Sequence, residues 1–404
     1  MEIRPILSTL KRNPVAAILI GLQIALTLAI LANVLFIVSD RVDRMNRPSG
    51  MDEANIFSFG HQNIGTRDDA RLAEEDEALL SKLPGVQHVS PIFSLPLGQS
   101  GWQTGVNIAV GEQVRDASRL AAIYFGDEDF LQTLGVDLIE GRYFTPSEIQ
   151  SFRFGDQPDP PVILVSKSLA DKLFPGQSAV GKMVNITGQE GVLNQQIIGV
   201  VGTLASPWPN SRNPDRVVIV PFRPVGIGGY MVRTQAGERD RVMAQVEQAL
   251  MQSYPDRVID NIESFEETRA DTHRNNRAIA MVLSAVALAL MAVTAFGIVG
   301  QASFWVVQRT RQIGTRRALG ARKVDILRYF QTENFLITTI AVLLGCALAM
   351  GLNGLLVTYF SFKRLPLGYL PAGVVIVYLL GQMAVLGPAL RASRIAPAIA
   401  TRSA

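Results

Sequence analysis

Four long stretches without a charged residue constrain this chain more than any other feature of its sequence. They cover residues 15–38, 278–307, 334–362 and 365–390. A helix needs about 20 apolar residues to cross the roughly 30 Å hydrocarbon layer of a bilayer, and each stretch exceeds that length. The sequence therefore predicts four transmembrane helices, at 15–38, 278–307, 334–359 and 366–388.

The distribution of charge predicts how these helices are oriented. Residues 40–277 hold 23 Lys and Arg against 32 Asp and Glu, whereas the flanks at 1–14, 308–333 and 391–404 hold 13 basic residues against three acids. Short flanks rich in Lys and Arg stay in the cytoplasm, and large domains cross largely regardless of charge. We therefore expect a multi-pass membrane protein. Both termini, the loop at 308–333 and the tail at 389–404 lie in the cytoplasm, and the domain at 39–277 lies outside.

The first 14 residues have the pattern of a helix that lies on a membrane surface. Ile3, Ile6, Leu7 and Leu10 fall on one helical face, and the basic residues fall elsewhere. Amphipathic helices of this kind bury their apolar face in the headgroup region. We predict a cytoplasmic amphipathic helix over residues 1–14, in contact with the lipid bilayer.

The first apolar stretch carries a row of small residues. Gly21, Ala25 and Ala29 recur every four positions, which places them on one helical face and lets another helix approach closely. Such a face serves either a dimer interface or packing inside one chain. The sequence leaves both readings open.

The predicted outer domain begins and ends with similar patterns. An apolar run, an amphipathic helical pattern and a second apolar run follow one another over residues 55–93, and the same order recurs over 228–262. This order predicts a β-α-β unit at each end. The fold class is then membrane α-helical, with four transmembrane helices and a large α+β extracytoplasmic domain with two lobes. An αβ lobe comes from 50–95 and 221–265, and a β-rich lobe is inserted at 96–220; a single mixed domain is the alternative.

The sequence shows no catalytic centre. Residues 176–183 nearly spell a phosphate-binding loop, but Met183 stands where a Ser or Thr must hold Mg²⁺. His61, His88 and His273 lack the spacing of metal ligands. We therefore expect neither an enzyme nor a bound metal or cofactor, and no feature predicts a nucleic-acid partner.

Residues 309–327 form the densest basic cluster, with six basic residues against one acid. We predict a compact cytoplasmic projection: a helix leaves the membrane through Arg309, turns back over residues 315–322, and a new helix starts near Lys323. Gly320 permits the reversal because glycine reaches backbone angles that other residues avoid. Asp325 then lies in the first turn of the new helix, where an acid suits the helix dipole.

The apolar and basic residues of this projection suit a docking surface. We expect Ile313 and Leu319 to enter a groove on a partner. Arg316 and Arg317 are expected to contact acidic or backbone oxygens around that groove.

This stretch resembles a known family. QRTRQIGTRRALGARKVDILRYFQTEN, residues 308–334, looks like the cytoplasmic loop of the MacB/FtsX-like ABC transporter permeases, of the form ERT-x-EIG-x-RRALGA, with Gln308 and Gln312 where the family usually has Glu. The tail PALRASRIAPAIA resembles the terminal pattern of that family. GVDLIEGRYF and VSKSLADKLFPGQSAVGKMV are similar to its periplasmic core domain.

The resemblance implies a location in the bacterial inner membrane, a function and a set of partners. Members of this family are homodimers or heterodimers of permeases, each gripped by an ABC ATPase, and they transmit ATP-driven motion across the membrane to the outer domain. ATP and Mg²⁺ are then bound by a separate ATPase subunit. The resemblance assigns the ATPase-coupling role to Arg309, Ile313, Gly314, Arg316, Arg317, Ala318, Leu319, Gly320 and Ala321. If the row of small residues is a dimer interface, Gly21, Ala25 and Ala29 contact the second permease.

Three roles are compatible with this family. The first is efflux with a periplasmic adaptor and an outer-membrane channel, and it is the expectation adopted here. The others are extraction of lipoproteins, and signalling to a cell-wall hydrolase or a sensor kinase without transport. In each case the stretch at 278–307, about 45 Å long as a helix, would act as a stalk between the cytoplasmic loop and the outer domain.

Overall fold

The computed structural model describes residues 14–64, 69–108, 119–156, 159–186, 194–226, 228–360 and 362–396. The predicted amphipathic helix at 1–14 and the end of the tail lie almost wholly outside these ranges. The chain divides into two compact units. One unit, Asn46–Arg274, contains most of the predicted outer domain and is called the outer unit below; the other, called the helical unit, joins Met1–Met45 to Asn275–Ala404.

The elements follow one another in a simple order. Helix α1 (Pro14–Met45) comes first, and the strand–helix–strand order predicted for both ends of the outer unit is present. The elements of the outer unit are β1 (Ile56–Asn63), α2 (Asp69–Leu80), β2 (Val86–Ile92), β3 (Trp102–Gly105), β4 (Leu120–Phe125), α3 (Phe130–Leu134), β5 (Leu138–Gly141), β6 (Gln150–Phe152), β7 (Val162–Ser166), α4 (Lys167–Leu173), β8 (Met183–Val184), β9 (Gln195–Val201), β10 (Val217–Val220), β11 (Phe222–Pro224), β12 (Gly229–Thr234), α5 (Arg239–Ser253), β13 (Arg257–Ser264) and α6 (Phe265–Thr272).

The two predicted β-α-β units form one antiparallel sheet with the strand order β13-β1-β12-β2. Because β12 lies between β1 and β2, the two units interleave as in split β-α-β folds. Helices α2 and α5 cover one face of this sheet through a buried apolar cluster that includes Phe57, Tyr230 and Val246. The other face stays available to the rest of the outer unit.

Most strands between β2 and β12 form a second, mixed sheet, and β6 and β11 pair in a separate two-stranded sheet. The order of the mixed sheet is β3-β4-β10-β7-β9-β5, and β8 pairs with β9. Strand β7 is buried along its whole length, as expected for a strand covered on both faces. Residues 176–183 lie between α4 and β8 rather than between a strand and a helix, so they lack the strand–loop–helix setting of a phosphate-binding loop.

The two sheets share an apolar core, so the structure does not confirm the predicted division into two lobes. The strands of each sheet do come from the predicted segments, and the whole of Asn46–Arg274 forms a single compact unit. The shared core includes Ile56, Ile92 and Met231 from the first sheet and Tyr124, Leu164 and Ile219 from the second.

A buried ion pair joins α2 to β13. The Arg257 guanidinium contacts the Asp76 carboxylate at 2.7 Å, and both side chains are almost fully buried. Removing one partner of such a pair leaves an uncompensated buried charge, which costs about 3–5 kcal/mol. This contact therefore fixes the helix against the far edge of the sheet.

A second group of charges connects the two sheets. Asp127, at the end of β4, accepts a hydrogen bond of 2.7 Å from the Ser90 hydroxyl on β2. Arg223 on β11 lies 3.4 Å from the Glu77 carboxylate on α2 and also pairs with Glu128. Burial raises the pKa of both Asp127 and Glu77 to about 7. Both carboxyls therefore hold their protons at a pH where exposed acids are ionised.

The raised pKa values predict that the outer unit loses stability as pH rises. A carboxyl whose pKa is higher in the folded state stabilises the fold fully below its unfolded pKa, near 4, and this contribution is lost as pH rises through about 7. We expect lower protection of β2 and β4 amides at pH 8 than at pH 5.5 in hydrogen exchange, after correction for the intrinsic exchange rate. Asp127→Asn keeps the acceptor for Ser90 and should reduce this pH dependence. An equal dependence in the variant and the wild type would contradict the assignment.

The other unit is helical. It contains α1, α7 (Arg274–Gln308), α8 (Thr310–Ala318), α9 (Lys323–Phe360) and α10 (Tyr369–Ser393). Within the described part of the chain, four of these helices, α1, α7, α9 and α10, are long and apolar enough to cross a membrane. Helix α9 has 38 residues and starts well before the apolar stretch at 334, so one continuous helix runs from the basic cluster into that stretch.

The row of small residues on α1 packs inside the chain. Ala25 and Ala29 are 0% and 3% exposed, and Ala29 belongs to a buried cluster with Ala349 of α9. A Cβ added to Gly345 would lie 3.0 Å from the Ala25 carbonyl oxygen, so α1 and α9 approach closely there. The reading of Ala25 and Ala29 as a dimer interface is therefore wrong, because this face already has a partner. Gly21 is half-buried, and an added Cβ there would meet no atom within 4 Å.

Candidate functional site

The basic cluster folds as a separate short helix, α8, between α7 and α9. Helix α7 ends at Gln308, and Arg309 leaves helical geometry before α8 begins at Thr310. The predicted turn at 315–322 is too long, because Thr315 and the residues up to Ala318 belong to α8. The predicted start of the next helix at Lys323 is confirmed.

Gly320 closes the end of α8. Its φ of +99° lies in the left-handed region, which glycine adopts without strain. The Gly320 amide donates to the Arg317 carbonyl at 3.2 Å, and the Ala321 amide donates to the Arg316 carbonyl at 3.0 Å. These two bonds are the Schellman arrangement that ends many helices. Asp325, in the first turn of α9 as predicted, accepts from the Arg322 amide at 2.9 Å.

The two apolar residues of the projection have different surroundings. Leu319 is 83% exposed at the tip of the turn, whereas Ile313 is 5% exposed and belongs to the apolar core of the helical unit. Gly314 is buried beside it. The prediction that Ile313 enters a groove on a partner is therefore wrong, because its side chain is already packed within this chain. Leu319 remains available to a partner.

The two arginines before Leu319 also differ. Arg316 is exposed and its guanidinium lies over the Tyr329 ring of α9, 4.9 Å from the ring centroid. Arg317 is half-buried and donates to the Ala321 carbonyl at 3.2 Å. Arg317 therefore supports the turn, and its contact with a partner stays a prediction. Arg316 is oriented by an aromatic ring and stays open to solvent.

An ion pair that the sequence did not reveal holds the start of α8. The Arg309 guanidinium donates to both oxygens of Glu333 on α9, at 3.0 and 2.8 Å. Glu333 is 1% exposed and Arg309 is 12% exposed, and Arg309 also lies over the Trp305 ring at 5.5 Å. In the sequence, Glu333 is one of two acids in a flank with seven basic residues, and nothing there indicates which residue it pairs with. The pair ties the break between α7 and α8 to the body of α9.

The chemistry of this region is that of a contact surface. Within the described ranges, no group of three His, Cys, Asp or Glu side chains could hold a metal ion. Its exposed residues include Leu319 at the tip, Val324 in the first turn of α9, and arginines around them, among them Arg311, Arg316 and Arg322. Ala318 is exposed next to Leu319, and Ala321 is half-buried. Such a surface suits a groove with an apolar floor and an acidic rim.

Two family models match this chain. One, described as a MacB-like periplasmic core domain, matches residues 15–249, which is more than half of the chain. The other, described as an FtsX-like permease C-terminal domain, matches residues 284–397. The second match contains α8 and the whole of α9 and α10.

Similar proteins include transporters and permeases. The macrolide export ATP-binding/permease protein MacB of Pasteurella multocida is 23% identical over 374 residues, which cover 87% of this chain and 52% of that protein. The uncharacterized ABC transporter permease YvrN of Bacillus subtilis is 26% identical over 302 residues, which cover 69% of each chain. This chain thus spans about half the length of the MacB relative.

Among solved structures, the periplasmic region of MacB from Actinobacillus actinomycetemcomitans aligns with a TM-score of 0.35 and 18% sequence identity. The alignment covers 56% of this chain and 97% of that region.

The buried ion pair makes a sharp prediction about α8. Glu333→Ala leaves Arg309 buried without its counter-charge, which costs about 3 kcal/mol or more. We expect amides of Thr310–Ala318 to exchange with deuterium roughly 100-fold faster, as measured by mass spectrometry on the purified chain. Arg309→Met combined with Glu333→Leu removes both charges and should restore much of the protection.

Gln312→Ala, an exposed change on α8 itself, is the control and should leave exchange unchanged. Unaltered exchange of α8 in Glu333→Ala would show that the ion pair does not hold this helix.

Proposed function

Because this chain belongs to the MacB/FtsX-like family of ABC transporter permeases, we propose that it is the membrane subunit of an ATP-driven transporter and that a separate ABC ATPase grips it at α8. ATP and Mg²⁺ bind to that ATPase. The permease transmits the motion of the ATPase to its outer unit, and cargo moves without being threaded through the bilayer.

The exposure of Leu319 is the observation that carries this proposal. A leucine that is 83% exposed at the tip of a well-capped turn exposes apolar area to water, and burial of such a side chain in a partner is worth about 1.5–3 kcal/mol. The surrounding arginines provide charge-assisted hydrogen bonds to an acidic rim. The turn is held by Gly320 and Arg317, so a partner that binds it loses little free energy to ordering this segment.

The position of α8 in the chain suits it to transmit force. It lies between the last residue of α7 and the first residue of α9, so a displacement of α8 acts on two long helices at once. Helix α7 has 35 residues, about 52 Å at the rise of an α-helix. Its first residue follows α6 of the outer unit after one intervening residue, His273. In this proposal α7 is the stalk that carries motion to the outer unit.

The orientation follows from the positive-inside rule. The basic flanks and α8 lie in the cytoplasm, where the ATPase is, and Asn46–Arg274 lies on the far side of the inner membrane. Both termini are cytoplasmic in this arrangement.

We assign the transporter to efflux. Two relatives are named for export, the macrolide export protein MacB of Pasteurella multocida and the pyoverdine export protein PvdT of Pseudomonas fluorescens, and this supports export rather than uptake. A periplasmic adaptor and an outer-membrane channel complete the pathway. A second permease, identical or related, completes the membrane part, and it uses a surface other than the Ala25 and Ala29 face.

Co-purification tests the docking surface directly. The tagged chain is expressed in its native host and purified in mild detergent, as the wild type and as the double variant Leu319→Asp, Arg316→Glu. We expect an ABC ATPase with the wild type and at least a tenfold loss of it with the variant, because a buried carboxylate replaces the apolar tip and one contact charge is reversed.

Leu367→Asp is the matched control, since Leu367 is 71% exposed in the connection between α9 and α10 and is assigned to the outer side. It should retain the ATPase. Retention of the ATPase by the double variant, or absence of any ATPase from the purified wild type, would refute the proposed binding of an ABC ATPase at α8.

A further inference from the structure

A cavity of about 330 Å³ opens on the four-stranded sheet of the outer unit. Ser58 of β1 and Glu263 of β13 line it, and the loop after β2 and helix α6 complete its walls. Phe57 and Phe59 belong to the face covered by α2 and α5. Because side chains alternate along a strand, Ser58 belongs to the opposite face. The cavity therefore lies on the side of the sheet that α2 and α5 leave uncovered.

The backbone around this cavity is held in unusual conformations. Leu97, Gln99 and Asn261 are the non-glycine residues with positive φ in the described part of the chain, at 61°, 63° and 49°. Gln99 and Asn261 line the cavity, and the Leu97 carbonyl accepts a hydrogen bond from Thr272, which also lines it. The pairing of β1 with β13 shifts between Ser58 and Gly60, which makes a bulge at Asn261. Such strain and such bulges concentrate at functional sites.

The polar groups of the cavity include two acids, Glu263 and Asp271. Glu263 lies directly opposite Ser58 in the register of the two strands, so both side chains belong to the same face. Ser58 is 6% exposed, so its side chain lies in the wall of the cavity rather than in open solvent. Asp271 is a second carboxylate in the wall, and no Lys, Arg or His is among the described residues that line the cavity.

The electrostatic balance agrees with this geometry. Burial raises the pKa of the Glu263 carboxyl, and the nearby charges of Asp271, Glu267 and Asp260 raise it further. Arg274 pairs with Asp271 at 3.3 Å, but both of these side chains are exposed. Glu263 therefore remains the acid of the cavity that no described lining cation pairs with.

Ile92, Phe93 and Leu95 give the wall an apolar part, and Gln99, Ser100, Thr268 and Thr272 add neutral polar groups. The described residues provide no cluster of three metal ligands here, and apolar side chains do not coordinate a metal ion. An organic cation uses both halves of the site. We propose that this cavity binds a small ligand in which an ammonium group is joined to an apolar group, with the ammonium donating to Glu263 and Ser58.

The site stands independently of the proposed transport function, because it needs only the outer unit. It also has a route to influence the rest of the chain. Thr268, Asp271 and Thr272 of α6 line the cavity, and α7 begins two residues after α6 ends.

Calorimetric titration of the full chain in a non-ionic detergent tests the proposal with a matched pair of probes. Phenylbutylammonium carries the charge, and phenylbutanol has the same apolar group and a neutral end. Titration into detergent alone corrects for partition into micelles. We expect saturable binding of the ammonium and about tenfold or more weaker binding of the alcohol.

Glu263→Gln keeps the size of the side chain and removes its charge, and it should weaken ammonium binding by about tenfold. Glu247→Gln, an exposed acid on α5 and thus on the other face of the sheet, should bind as the wild type does. Equal affinity for ammonium and alcohol, unchanged ammonium binding by Glu263→Gln, or no binding of the ammonium by the wild type would each overturn the proposal.

Discussion

The ion pair between Arg309 and Glu333 is the contact on which the candidate site depends. It lies where α7 ends and α8 begins, and it fixes that break to the side of α9 with an almost fully buried carboxylate. Because the break occurs at Arg309, Ile313 turns into the core of the helical unit and Leu319 reaches the tip of the following turn. A straight continuation of α7 would give α8 a different direction. Buried charge is costly, and here it determines which of two apolar residues remains free for a partner.

The outer unit shows the same use of buried charge. Asp76 and Arg257 fasten α2 to the edge strand β13, and the group around Asp127 and Arg223 joins the two sheets. These contacts hold the face covered by α2 and α5 and the junction between the sheets. The opposite face contributes Ile56, Ile92 and Met231 to the core shared with the second sheet. Asn261 and helix α6 line the cavity beside that core.

Much of the fold could be predicted from the sequence because its signals are local. Uncharged windows of 24 to 30 residues specify long apolar helices, and the repeated strand–helix–strand pattern specifies the first sheet. Local signals cannot say which element covers which face. The small residues Ala25 and Ala29 fit a second copy as well as α9, and only the fold decides for α9. Arg309 and Glu333 are 24 positions apart, so the sequence pattern around either residue does not reveal the pair. The burial of Ile313 and the exposure of Leu319 depend on this distant contact.

The central claim is that motion imposed on α8 reaches the outer unit. The most direct measurement is hydrogen exchange of Asn46–Arg274 in the permease–ATPase complex in nanodiscs, compared without nucleotide, with ATP, and with ATP trapped by vanadate. If motion is transmitted, we expect a nucleotide-dependent change in hydrogen-exchange protection within the outer unit, in particular in α6, which precedes α7. An ATPase that hydrolyses ATP on the bound permease while exchange throughout Asn46–Arg274 stays the same would contradict the account.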